Sequence, residues 1–138
     1  MIDLSTSFGA RVARRLRDET HMWLTTVRAD GTPQPTLIWF LWENDTFLIY
    51  SQPNKQKLRN IERNPKVALN FNSNEHGDDM IIFNGDARIV TDVRPAHQHP
   101  TYLAKYRADI TRIGMNPESF AQSYSVPLRV TPTNLRGH

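Results

Sequence analysis

The 138-residue chain contains no cysteine, which excludes a disulfide framework, a thiolate nucleophile and a zinc–thiolate centre. It has no run of apolar residues long enough to span a membrane. The start Met1-Ile2-Asp3-Leu4-Ser5 carries no signal-peptide pattern, so the expectation is a cytoplasmic protein with no membrane contact. Neither the dinucleotide nor the P-loop glycine fingerprint is present, and no Gly-x-Ser-x-Gly elbow marks a serine hydrolase. Dense basic tracts are missing as well. A net charge of +3 is too mild for a dedicated nucleic-acid binder and suits an anionic small molecule at least as well. With no repeat, linker or low-complexity segment, this length reads as one domain over residues 1–138.

What is present is a succession of strand signals. Ser5, Thr6 and Ser7 offer N-caps for an amphipathic first helix in which Phe8, Val12 and Leu16 recur at four-residue spacing among Arg11, Arg14, Arg15 and Arg17. Residues 21–29 are β-favouring, and Asp30-Gly31 turns the chain into a second strand over 34–43. Leu37, Ile38, Trp39, Phe40, Leu41 and Trp42 follow one another there without alternation, so both faces must be covered, by core on one side and by a helix, ligand or second subunit on the other. Trp39 and Trp42 fall on opposite faces because their spacing is odd. Asn44-Asp45 turns into a third strand, and strands four and five occupy 66–72 and 80–90, with Gly85 marking a bulge. A helix starts near Pro100. Another starts at Asn116-Pro117 with Phe120 and Tyr124 as its apolar stripe, before a sixth strand over 126–132 and a polar tail. Six strands joined by tight turns, with a short helix between the third and fourth, predict a mainly β, antiparallel barrel packed by helices.

The stretch 47–69 organises the rest. An apolar strand ends in a hydroxyl at Ser51, Pro53-Asn54 breaks the pattern, and an amphipathic helix carries Lys55, Lys57, Arg59 and Arg63 before Asn64-Pro65 closes it. Free backbone N–H groups, the positive end of a helix dipole and several cations then share one small volume, as a phosphorylated ligand requires. An ordinary solvated helix is the competing reading of the same charges. Elsewhere the chemistry is sparse: His97 and His99 lack a third metal ligand, His21, His76 and His138 are isolated, and Asp30, Asp78 and Asp79 read as turn acids. An anion cradle without an acid–base constellation points to a bound cofactor that brings the chemistry.

Residues 23–35, Ile38-Trp39-Phe40, Tyr50-Ser51, 55–61 and 64–69, in that order, resemble the pyridoxamine 5'-phosphate oxidase-like split β-barrel superfamily. Within it the chain is most similar to the actinobacterial flavin/deazaflavin oxidoreductases, and the ending 126–132 also fits. The resemblance implies a six-stranded antiparallel split β-barrel of the FMN-binding type with flanking helices. It further implies a homodimer with cofactor sites at the subunit interface and a small-molecule substrate. The implied cofactor is the 8-hydroxy-5-deazaflavin coenzyme F-420, with FMN as the alternative, and the implied reaction is hydride transfer from reduced coenzyme to an electron-poor substrate. On the matching positions Ser51, Lys55 and Lys57 would hold the phosphate, with Arg59 beside them. Gln34, Pro35 and Thr36 would lie along the ring and Trp39 would approach the pocket. No catalytic side chain is identified, although Tyr50 or water is a candidate proton donor, and first-helix arginines with the two lysines are candidates for a polyglutamyl tail. A non-catalytic flavin, deazaflavin or haem binder of the same fold is the further alternative. Where pyridoxamine-phosphate oxidases carry an Arg-x-Val-Leu-Leu-Lys run and an Arg-rich end, this chain has Thr36-Leu-Ile-Trp-Phe-Leu-Trp42 and Thr133-Asn-Leu-Arg-Gly-His138, which argues against vitamin B6 chemistry.

Overall fold

A computed structural model describes residues 2–138. The first helix, α1 (Ser7–Asp18), is capped by Thr6, whose hydroxyl accepts the Gly9 N–H at 2.9 Å, and it buries Val12 and Leu16. Strand β1 (His21–Val27) alternates cleanly, with Met22, Leu24 and Thr26 inward. The Asp30 carboxylate accepts the Thr32 N–H (3.0 Å) to shape the turn into β2 (Pro33–Trp39), which pairs antiparallel to β1 with Thr36 opposite Leu24.

The expected long second strand is two strands. It breaks at Phe40, and β3 (Leu41–Glu43) pairs with β4 (Thr46–Ser51) instead of β1. The sheet therefore has seven strands in the order β2-β1-β5-β6-β7-β4-β3, not six, and its two edges are consecutive in sequence. A straight strand cannot serve both edges. The chain corners at Phe40, whose peptide has no ladder partner and is satisfied by a side chain of α3 (Pro100–Arg112). The Tyr106 hydroxyl accepts the Phe40 N–H (2.9 Å) and lies 2.7 Å from the carbonyl oxygens of both Phe40 and Thr20, sharing its proton between them. The curled antiparallel sheet with flanking helices is the split-barrel architecture expected.

After β4, α2 (Gln56–Arg63) leads into β5 (Lys66–Asn70) and β6 (Ile81–Ile89). The bulge expected at Gly85 is present. The register against the last strand, β7 (Val126–Gly137), shifts between Asn84 and Gly85, and a Cβ on Gly85 would lie 2.6 Å from the Thr131 carbonyl oxygen. The polar tail expected after residue 132 is instead the second half of β7, paired with β6 as far as Gly137 opposite Ile81. Its side chains are mostly exposed, so polarity concealed a segment held by its backbone.

Two apolar clusters lie on either side of β4. Phe47 and Ile49 join Val12, Leu16, Leu24, Phe40 and Phe83 inside the curl, whereas Leu48 and Tyr50 meet Tyr102, Tyr106, Ile110 and Phe120 of α3 and α4 (Pro117–Ser123). That double burial explains the unbroken apolar run of β4. As expected from their odd spacing, Trp39 packs on the outer cluster and Trp42 on the inner one. No helix among the described residues is long and apolar enough to cross a membrane.

Candidate functional site

Strand β4 delivers Ser51, fully buried, to one end of the sheet, where its hydroxyl donates to the Gln52 carbonyl at 2.8 Å. Asn54 takes a left-handed conformation (φ 63°) that turns the chain into α2, and Lys55 stands at the N-cap. A lysine side chain cannot accept a hydrogen bond, so the helix start is uncapped. Leu58 N–H reaches the Lys55 carbonyl at 3.1 Å, but among the described residues the N–H groups of Gln56 and Lys57 have no acceptor. They are the first donors of an eight-residue helix, aligned with the positive end of its dipole.

Lys57 is half-buried beside this opening, and no carboxylate lies within ion-pair distance of it. Burial, and then the charge of Lys55, push its pKa below the ordinary lysine value. A lysine depressed by burial and by Lys55, with two free peptide donors close by in the chain, leaves positive potential at this opening that no group of the protomer neutralises among the described residues. Arg59 is differently placed: its guanidinium donates to the Asn54 carbonyl (3.2 Å) and to Gln56 Oε1 (2.9 Å), so it braces the turn.

Strand β2 is brought to the same place by a residue the sequence did not single out. Asn60, fully buried on α2, donates from Nδ2 to Thr26 Oγ1 (2.9 Å) and to Gln34 Oε1 (3.0 Å), and its Oδ1 accepts from Gln56 Nε2 (2.8 Å). The network ties the first turn of α2 to the end of β1 and the start of β2. Gln34 is thereby fixed against the cradle, and Thr36 shares its half-buried face of the strand, whereas Pro35 faces the other way and is exposed. The one signal available in sequence was Gln56 and Asn60 at i, i+4 spacing beside Leu58 and Ile61, an amide pair bordering the apolar face.

Trp39 lies on the opposite face of the sheet from Ser51. It stacks on Tyr106 (ring centroids 4.8 Å, 4°) and Phe120 (5.6 Å, 12°), and lines an aromatic slot under α3 and α4. Tyr50 is in the same slot, its hydroxyl donating to the Arg94 carbonyl at 2.6 Å. Burial, followed by the nearby Glu43 charge, pushes its pKa up to about 12, which makes it a reluctant proton donor.

Arg11 and Arg15 of the first helix do not join the lysines within one protomer. Arg11 and Arg15 pair with Asp79 at 3.2 and 3.0 Å, and Arg15 also donates to the Asn72 carbonyl (2.8 Å) and lies over the Phe71 ring. These partners follow β5 and precede β6, the end of the sheet opposite to α2. His99 is structural: its Nδ1 caps α3 by accepting the Tyr102 N–H (3.2 Å), and its Nε2 donates to Glu43 Oε1 (3.1 Å), whose other oxygen faces Arg129 (3.4 Å). Both ring nitrogens are engaged, and no group of three metal-ligating side chains occurs among the described residues.

Comparison with known proteins agrees with the fold. The sequence pattern of the family described as pyridoxamine 5'-phosphate oxidase matches residues 8–138. No curated protein matches the chain. Among solved structures, an F420 reductase is 27% identical, with 89% of this chain and 94% of that one covered and a TM-score of 0.65. A conserved hypothetical protein from Mycobacterium tuberculosis is 19% identical, with coverages of 92% and 81% and a TM-score of 0.73. The haem storage protein HutZ from Vibrio cholerae is 16% identical, with coverages of 96% and 95% and a TM-score of 0.66. The last two are alike in fold.

Proposed function

The chain belongs to the pyridoxamine 5'-phosphate oxidase family, and we propose that within it this protein is an oxidoreductase that uses the reduced deazaflavin coenzyme F-420 on a small electron-poor substrate. The observation that carries the proposal is the uncapped start of α2 with its unpaired, depressed Lys57. The likeness to an F420 reductase at 27% identity supports the choice of coenzyme.

The residues present fit a phosphate ester. Peptide N–H groups of Gln56 and Lys57 would meet its oxygens and Lys55 and Lys57 would supply the charge, while Ser51, buried with its hydroxyl donated to the Gln52 carbonyl, would shape the strand side of the turn. Asn60 holds Gln34, and through it the start of β2, where the ring of the coenzyme would lie along Gln34, Pro35 and Thr36. Reduced deazaflavin bound there would supply a hydride, which leaves this chain the tasks of positioning and of excluding water. As the outer edge of the sheet, β2 has peptide groups without a strand partner, and this supports completion of the site by a second copy in a homodimer.

The test is a tryptophan-fluorescence titration with oxidised F-420 and, in parallel, with FMN, repeated on Lys57→Ala. Saturable quenching by F-420 in preference to FMN, weakened about tenfold or more in the variant, is the expected result. Preference for FMN moves the reading to a flavin enzyme on the same cradle. No response to either removes the function and leaves the fold.

A further inference from the structure

A groove of about 510 Å³ is walled by α1, β3 and α3, within the range of about 300–1,000 Å³ usual for small-molecule sites. Leu16, Leu41, Trp42 and Ala104 border it and make it mostly apolar. Lys105 borders it too, one position on from Ala104. Arg17 is the other charged group there, but its side chain is 69% exposed and paired with Asp18 at 3.0 Å, so its charge is spent at the surface.

The second observation concerns the amine. Lys105 is half-buried, and its Nζ lies 3.9 Å from the centre of the Phe40 ring and 5.3 Å from that of Tyr106, with the Phe40 carbonyl as its acceptor at 3.0 Å. No carboxylate comes within ion-pair distance of it among the described residues: Asp18 is taken by Arg17, and Glu19 faces Arg15 at 3.6 Å. Burial therefore outweighs the distant pull of Glu19 and Asp18 and brings the Lys105 pKa to about 8. At pH 7 about a tenth of this lysine is then free amine, against about one part in three thousand for an ordinary lysine. A desolvated amine in an apolar recess is a nucleophile toward carbonyl carbon. An acid is the wrong occupant, because its carboxylate would be repelled by Asp18 and Glu19.

We propose that this groove binds an unhindered aldehyde with a short hydrocarbon tail and holds it as an imine on Lys105. The amine nitrogen adds to the carbonyl carbon, the two amine hydrogens leave with the carbonyl oxygen as water, and a carbon–nitrogen double bond remains. No oxidant or reductant is consumed, and water reverses the step. The tail lies along Leu16, Leu41 and Trp42. The groove is walled by elements other than β2, β4 and α2, so the proposal does not rest on the coenzyme reading.

The full chain, without coenzyme, is incubated at pH 7 with hexanal or acetaldehyde and cyanoborohydride, which reduces an imine to a stable secondary amine. Peptide mass mapping then locates the alkylated residues, with Lys66, exposed and paired with Asp86 at 2.8 Å, as the internal reference. We expect hexanal to alkylate Lys105 about tenfold faster than Lys66, and the hexanal-to-acetaldehyde ratio to be about fivefold higher at Lys105 than at Lys66 because only Lys105 has a wall for the tail. Ala104→Trp, at an exposed helix position where an indole fills the groove, should bring that ratio down to the Lys66 value while the urea midpoint reports an intact fold. Equal alkylation of Lys66 and Lys105, a tail preference at Lys105 no greater than at Lys66, or a preference that survives Ala104→Trp would overturn the proposal.

Discussion

Asn60 carries more of the candidate site than any cation in it. It has no exposed surface, and it joins Thr26, Gln34 and Gln56 across three elements. In Asn60→Ala the side-chain groups of all three lose this partner; the half-buried Gln34 and Gln56 amides turn to water, but the buried Thr26 hydroxyl does not, and an unmet buried group costs about 1–3 kcal/mol on top of the packing lost. The expected outcome is a loss of about 2–4 kcal/mol in urea denaturation, with weaker phosphate-ester binding because Gln34 and the first turn of α2 are no longer held together. Asn60→Asp does not rescue it, since a carboxylate cannot donate to Thr26 and Gln34. Residues of this kind are hard to read in sequence. Lys55 and Lys57 announce themselves by charge, but an asparagine within a polar helix looks like surface until the fold turns it inward.

At the scale of elements, the decisive feature is the corner at Phe40. The run 37–42 is apolar throughout and reads as one strand, yet β2 and β3 belong to opposite edges of the sheet. What makes the break possible is Tyr106, 66 residues away, whose hydroxyl meets both the N–H and the carbonyl of Phe40. Tyr106→Phe keeps the stacking on Trp39 but orphans the Phe40 N–H and leaves the Phe40 carbonyl with only the Lys105 ammonium. It should lower stability by about 2–3 kcal/mol, read as a shift of the urea midpoint with unchanged slope. Hydrogen exchange at the Phe40 amide should accelerate beyond that global loss. Local signals worked where local chemistry decides: the Asp30-Gly31 turn, the Gly85 bulge and the Asn116-Pro117 helix start are all present, the last as a capping box with Ser119. They failed at Phe40 and along the second half of β7, where a distant tyrosine and a neighbouring strand decide.

For the molecule as a whole, Lys105 sets a dependence on pH. Its ammonium is tucked against the Phe40 ring at 3.9 Å and donates to the Phe40 carbonyl at 3.0 Å. Burial outweighs the distant Glu19 and Asp18 charges, and the pKa falls to about 8. Between about 8 and the ordinary 10.5 the unfolded chain binds more protons at this site than the folded one, so the Lys105 contribution to stability rises with pH across that window. Below that window the cost of holding the charge in the folded state is felt in full. A Lys105→Met variant escapes the cost of burying the charge. Its thermal midpoint relative to the parent should be most favourable near pH 7 and should decline steadily as pH rises from 8 to 10. A constant difference across that range would show that Lys105 is solvated as an ordinary surface lysine.

The order of strands and turns, the helix inserted after Ser51 and the cluster of cations at its start are local properties of the chain, written in side-chain periodicity, Gly and Pro positions and charge. They were sufficient for a mainly β, antiparallel sheet packed by helices, and the family resemblance supplied its split-barrel form. Which residues meet across the sheet was decided only by closure of its edges. Curling brought Asn60 to Gln34, sent Trp39 to the outer face away from Ser51, and left Arg11 and Arg15 paired with Asp79 at the far end. Those contacts join residues 26 to 81 positions apart. A separation of that kind leaves no periodic trace in sequence, because it depends on where the sheet bends and not on what neighbouring residues prefer.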